Sequence, residues 1–203
     1  MNWVWEQFNE KGAWLYRIML LNLMWIGFTL LGGIIFGLFP ATVSLFSVMR
    51  KWLRGEADIS LVSHFIETYK GSFVKSNIAG LVILGIGIFL SVDLYISQKY
   101  LGNFFVHLVL LFLCFLYGLT VLFFFPTFVH FEMKSLSYLK QSFFMTFIRP
   151  LQSLLISVIF MMIVVIVSVF PFLMVFFAGP MLAYPIMWIG NKVFKTLESM
   201  EGK

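Results

Sequence analysis

Charge is what this sequence has least of. Only 11% of its 203 residues are charged, against about 25% in an ordinary soluble domain, and no hydrophilic stretch is long enough to fold by itself. A water-soluble chain of this size keeps much of its surface exposed and needs polar side chains to cover it. With 61% hydrophobic residues that surface cannot be built, so the solvent of this fold is lipid. Acidic residues are scarcest, nine against 14 Lys and Arg, for a net charge of +5. The basic excess does not point to nucleic acid. Its residues stand in small groups between apolar runs, where they act as topology signals or meet anionic headgroups. The single cysteine, Cys114, excludes an intramolecular disulfide.

The chemistry-bearing patterns are also missing. No Gly-rich loop ends in Gly-Lys-Ser/Thr, which excludes ATP hydrolysis by that route. There are no paired intramembrane carboxylates and no Ser or Cys with a nearby His base. His64, His107 and His130 fall on different segments, so neither metal nor other cofactor is expected. The chain reads as a non-enzyme.

What is present is long apolar runs, with 26 Phe among them. The first, Ile18 to Phe39, holds 22 residues without a charge, and about 20 suffice to cross a ~30 Å hydrocarbon core. It lacks the basic start and small-residue cleavage site of a secretory signal. Pro40 reads as a helix start that turns the chain along the interface, with Leu45, Phe46, Val48 and Met49 against lipid. Residues 50–76 are basic, and Leu61, Phe65, Tyr69 and Phe73 recur every four positions, the mark of an amphipathic helix. Further spans are expected at about 77–97 and 104–129, joined through Lys99 and Asn103. A second basic amphipathic segment, 130–152, carries Lys134, Lys140 and Arg149 among Phe143, Phe144 and Phe147. The last apolar stretch, 153–190, has Pro171 near its middle. It fits two crossings with a tight turn at 168–172, or one span and a kinked interfacial helix.

Charge arbitrates. Five spans place 50–76, 130–152 and a cytoplasmic tail, 191–203, on one side with 11 of the 14 Lys and Arg, whereas four spans place eight there. The positive-inside rule prefers five, with the N-terminus outside and the C-terminus inside. Residues 1–17, with Trp3, Trp5, Phe8, Trp14 and Tyr16, are expected to lie along the interface. The expected fold is therefore all-α: one polytopic transmembrane helical bundle over 1–203, five spans with four as the alternative, and amphipathic interfacial helices. Phe39-Pro40-Ala41-Thr42 echoes Phe125-Pro126-Thr127, and a basic amphipathic stretch follows each. The echo is either an internal repeat, about 18–97 and 104–170, of a kind found in small transporters, or a self-match of a Phe-rich chain.

Two polar residues within the runs are candidate sites. Asp93 is the one acidic residue well inside a predicted span, where a carboxylate is costly and defaults to a functional hypothesis. Its nearness to the span end also fits interfacial anchoring, or pairing with Lys99 or His107. Asn22 suits a hydrogen bond to another helix. Gly33 with Gly37, and Gly87 with Ser91, have the small-residue spacing of close helix packing.

Asn22-Leu23-Met24-Trp25, Gly32-Gly33, Phe39-Pro40-Ala41-Thr42 and Arg50-Lys51-Trp52-Leu53-Arg54 resemble, in order and spacing, the YesL-like family of bacterial membrane proteins. The resemblance is most specific over 12–75. Pro40, Thr42 and Arg50, which lie within these motifs, are further candidates for function or packing; the resemblance itself assigns no catalytic or binding residue, and Val43 and Ser44 depart from the family's pattern. It implies a Gram-positive-type plasma membrane and a contextual link to carbohydrate uptake, with ABC-type transporter components as partners beside the lipid bilayer. The leading expectation is an accessory protein of carbohydrate uptake, and the alternative is a small independent solute transporter.

Overall fold

In lipid every backbone N–H and C=O must be satisfied inside the protein, which leaves helices or closed barrels. The computed structural model describes the backbone at residues 2–56 and 58–201, and side chains at 12–56, 58–100 and 102–197. Among the described residues there is no strand. The helices are α1 (Asn2–Leu31), α2 (Ile35–Leu53), α3 (Leu61–Ile96), α4 (Phe104–His130), α5 (Ser137–Ile148), α6 (Pro150–Val169), α7 (Phe172–Phe176) and α8 (Ala178–Glu201). The fold is an all-α polytopic helical one. Among the described residues, four helical stretches are long and apolar enough to cross a membrane: Gly12–Leu31, Leu61–Tyr100, Phe104–His130 and Pro150–Val169. Only 11–17% of the residues in their most apolar windows are buried, which leaves surfaces suited to acyl chains. The chain divides into two compact units, residues 1–72 with 159–188, and 73–158 with 189–203. Each unit draws on both halves of the expected repeat.

In the first unit, the expected span Ile18–Phe39 is instead the end of one helix and the start of the next. α1 stops at Leu31, and a turn follows in which Gly33 and Ile34 take left-handed φ of 73° and 63°. Gly33 meets nothing within 4 Å, so its part is to permit the turn. The close packing comes from Gly32 and Gly37: a Cβ on Gly32 would collide with the Gly37 backbone, and one on Gly37 would lie 2.7 Å from Phe28 O. The helices then pair antiparallel along their length. Gly37 meets Thr29, Trp25 Nε1 donates to Thr42 Oγ1 (3.0 Å), and the Trp14 and Trp52 rings pack 4.9 Å apart. Residue numbers in these pairs add to a nearly constant value, as antiparallel neighbours require.

Pro40 accordingly does not start a helix. It lies inside α2, and Leu45, Phe46, Val48 and Met49 are buried in protein instead of facing lipid. Apolarity alone could not tell the two apart. The amphipathic stretch after residue 60 is likewise the first part of α3, which runs 36 residues without interruption. Its stripe packs on the hairpin: Phe65 is fully buried with its ring 5.3 Å from that of Phe28. Tyr69 Oη donates to Phe28 O (3.2 Å), and Ser47 Oγ and His64 Nε2 share a hydrogen bond of 2.8 Å.

In the second unit, α3 ends in a π-helical turn, Ser97–Leu101. Gly102 in a left-handed conformation reverses the chain, and Asn103 Oδ1 caps α4 by accepting from Phe105 N (3.0 Å) and Val106 N (3.3 Å). Tyr117 Oη donates to Ile83 O (2.8 Å) and ties α4 to α3. A Cβ on Gly87 would lie 2.6 Å from that hydroxyl, so Gly87 makes room for Tyr117. Ser91 Oγ turns back on its own helix, to Gly87 O (2.7 Å). Tyr138 closes the α4–α5 connection, donating to Phe131 O (3.1 Å), accepting from Met133 N (2.9 Å) and stacking on Phe128. α5 exposes Phe143, Phe144 and Phe147 and buries Tyr138, Ser142, Met145 and Thr146, an amphipathic helix.

Candidate functional site

The polar centre of the first unit is Asn22, which is fully buried. Because α1 extends back beyond Gly12, Asn22 sits midway along the apolar stretch Gly12–Leu31 and not near its end. Its partners come from the break in the last apolar segment. α6 stops before Phe170-Pro171, the single turn α7 follows, and Phe177 separates α7 from α8. Helix ends leave carbonyls and amides without intrahelical partners, and at membrane depth such groups need a protein partner. Asn22 supplies it. Its Nδ2 donates to Val175 O (2.6 Å) and Met174 O (3.3 Å), and its Oδ1 accepts from Gly179 N (2.9 Å). One carboxamide thus caps the end of α7 and the start of α8.

The surroundings are closely fitted. A Cβ on Gly179 would stand 3.1 Å from Asn22 Oδ1 and from Leu45 Cδ2, and 3.3 Å from Trp25 Cε3. Thr42, which takes the Trp25 bond, donates to Leu38 O (2.7 Å). Buried Pro40 offers its carbonyl to Ser44 Oγ (2.9 Å). Asn22 and Thr42 are thus brought to one region of the hairpin through Trp25, and Pro40 lies on the same helix as Thr42. Arg50 is half-buried in the last turn of α2, where a cation suits the helix C-terminus. Trp25 entered the sequence reading only as part of a family motif, and Gly179 was not among its site candidates; the signal for the latter is Gly179-Pro180 inside an apolar run.

Asp93 belongs to the second unit and stands half-buried on α3. Its expected pairing with Lys99 or His107 is not made, since Lys99 Nζ instead donates to Tyr95 Oη (2.9 Å). Two residues separate Tyr95 from Asp93, about 200° around a helix, so a lysine held by one is turned from the other. Among the described residues no group of three His, Cys, Asp or Glu is placed to hold a metal ion. The side chains of Trp3, Trp5 and Phe8 lie outside the described residues, as do those of the tail beyond residue 197.

Residues 18–94 match the family described as a protein of unknown function, DUF624. The chain is 34% identical over 199 residues to "Uncharacterized protein YesL" of Bacillus subtilis (strain 168), covering 96% of this chain and 93% of that protein. The chain belongs to the YesL-like family. A second relative in the same organism, "Uncharacterized protein YteU", is 31% identical over 94% of this chain and 86% of its own length. "Uncharacterized protein YesV" is 36% identical over 66% of each. No solved structure matches the chain. The DUF624 match covers the second half of α1, the turn, α2 and most of α3, and so includes Asn22, Trp25 and Thr42.

Proposed function

We propose that this YesL-like chain is a non-enzymatic accessory protein of carbohydrate uptake in the plasma membrane, and that it does not carry the solute itself. The observation that supports this is how Asn22 is used. A carrier presents polar groups near mid-membrane that can trade partners with substrate. The buried carboxamide has both N–H donors on backbone carbonyls and its oxygen on a backbone amide. It holds a broken helix together and has no donor left for a sugar. The carbohydrate association itself rests on the family resemblance.

The hairpin bears on orientation. It leaves on the side it enters, so the N-terminal end and Arg50–Arg54 share a side, in place of the outside N-terminus expected from a single first crossing. With α7 and the apolar start of α8 taken as the final crossing, the positive-inside rule favours Arg17, Arg50–Arg54 and the basic residues of 130–152 and 191–197 inside, with Lys99 opposite. In the second unit, the segment with Lys134, Lys140 and Arg149 and the exposed phenylalanines of α5 is the surface offered to ABC-type transporter components.

The test is a mild-detergent pull-down of the tagged protein from its native membrane, in cells grown on a complex polysaccharide, read by mass spectrometry. Reproducible recovery of permease or solute-binding subunits is expected. Recovery of the protein alone, with those subunits intact in the extract, overturns the accessory role. The second reading, an independent carrier, is favoured by half-buried Asp93. Solute flux into proteoliposomes that falls in Asp93→Asn would establish it; no flux above empty vesicles is expected.

A further inference from the structure

The second unit holds a groove of ≈ 490 Å³ between α3 and α4. One wall is a stripe of α3 in which Leu84, Ile88, Ser91, Val92 and Tyr95 recur at three and four residues, and Tyr117 of α4 faces it. Its floor has almost nothing to offer a polar solute. Ser91 has given its proton to Gly87 O and Tyr117 its proton to Ile83 O, and the rest of the lining is hydrocarbon. Polarity returns at one end only. There Lys99 Nζ donates to Tyr95 Oη (2.9 Å) and lies 5.3 and 5.6 Å from the ring centres of Tyr95 and Tyr100. These contacts hold the cation at the groove's rim, with two ammonium N–H groups and the Tyr95 O–H still to donate. Asp93, two residues before Tyr95, is on the far face of α3, so no carboxylate opposes an anion there. From Leu84 to Tyr95 the helix rises roughly 16 Å, close to half of a ~30 Å hydrocarbon core.

We infer that this groove is a binding site for one anionic phospholipid, with an acyl chain along Leu84, Ile88 and Val92 and the phosphate at Lys99 and Tyr95. The depth of one leaflet, an apolar floor whose donors are spent, and a fixed cation at one end together match an amphiphile with a negative head. A sugar finds no donors on the floor, and a free phosphate makes no use of it.

Native mass spectrometry of the purified full-length protein, titrated with phosphatidylglycerol or with phosphatidylcholine of the same acyl chains, tests the site. The unchanged protein is expected to retain phosphatidylglycerol preferentially. Lys99→Gln, an exposed position, should lose that preference, roughly fivefold for one basic residue near a headgroup. Ser91→Phe, which fills the groove and leaves the cation, should weaken both lipids. Lys99→Arg should keep the preference and controls for folding. Equal retention of the two lipids by the unchanged protein, or a preference that survives Lys99→Gln, overturns the inference. So does displacement of the bound lipid by inorganic phosphate.

Discussion

At the scale of a residue, Asn22 is the side chain on which most depends. Replacing it with Leu leaves two carbonyls and one amide without their partner in a dry interior, at a cost of about 1–3 kcal/mol. For a chain of this size that corresponds to a fall of roughly 3–10 °C in melting temperature, measurable in detergent by differential scanning fluorimetry. An unchanged melting temperature would mean that the carboxamide is not structural and would reopen a solute-binding role. A polar residue in the first apolar run was legible in the sequence, and so was its suitability for a bond to another helix. Its partners were not, because Val175 and Gly179 stand more than 150 positions away and offer backbone groups, which every residue has. Lys99 shows the opposite limit. Sequence spacing set it near Asp93, whereas the Tyr95 hydroxyl one helical turn back takes it.

At the scale of an element, the α1–α2 hairpin depends on glycines with different tasks. A methyl group on Gly37 meets the backbone at Thr29 and Phe28, which cannot rotate away. Gly37→Ala should therefore cost about 1–3 kcal/mol or more, as overpacking does, by separating the two helices. Gly27 lies in α1 with nothing within 4 Å of an added Cβ, and Gly27→Ala should stabilise by up to about 1 kcal/mol through helix propensity. Thermal melts of the two variants should move in opposite directions, and a loss of stability in both would contradict the packing described. The hairpin was hidden in the sequence because its turn, Gly32-Gly33-Ile34, is as apolar as the helices on either side. In water a turn announces itself by polarity; in lipid only the glycine pair marked it. The break before α7 was legible, by contrast, because proline states it directly. The α5 stripe was also legible, since the exposed Phe143, Phe144 and Phe147 stand in a segment marked by the basic residues Lys134, Lys140 and Arg149.

At the scale of the molecule, composition made the solvent and the all-helical class plain, since little else can satisfy a backbone in lipid. The number and sense of the crossings were less open to reading. Positive charge sorts loops into sides only after the spans are counted, and one run counted as a span is two helices. The hairpin's demand is simple: residues near its two ends must face the same compartment. Single cysteines at Ala13, Asp58 and Asn103, each in a Cys114→Ser background, can be labelled in intact cells and in opened membranes with a maleimide that does not cross the bilayer. Ala13→Cys and Asp58→Cys are both predicted to react only when membranes are opened, and Asn103→Cys to react in intact cells. Reaction of Ala13→Cys in intact cells while Asp58→Cys stays protected would contradict the hairpin, and with it the common side of Arg17 and Arg50–Arg54.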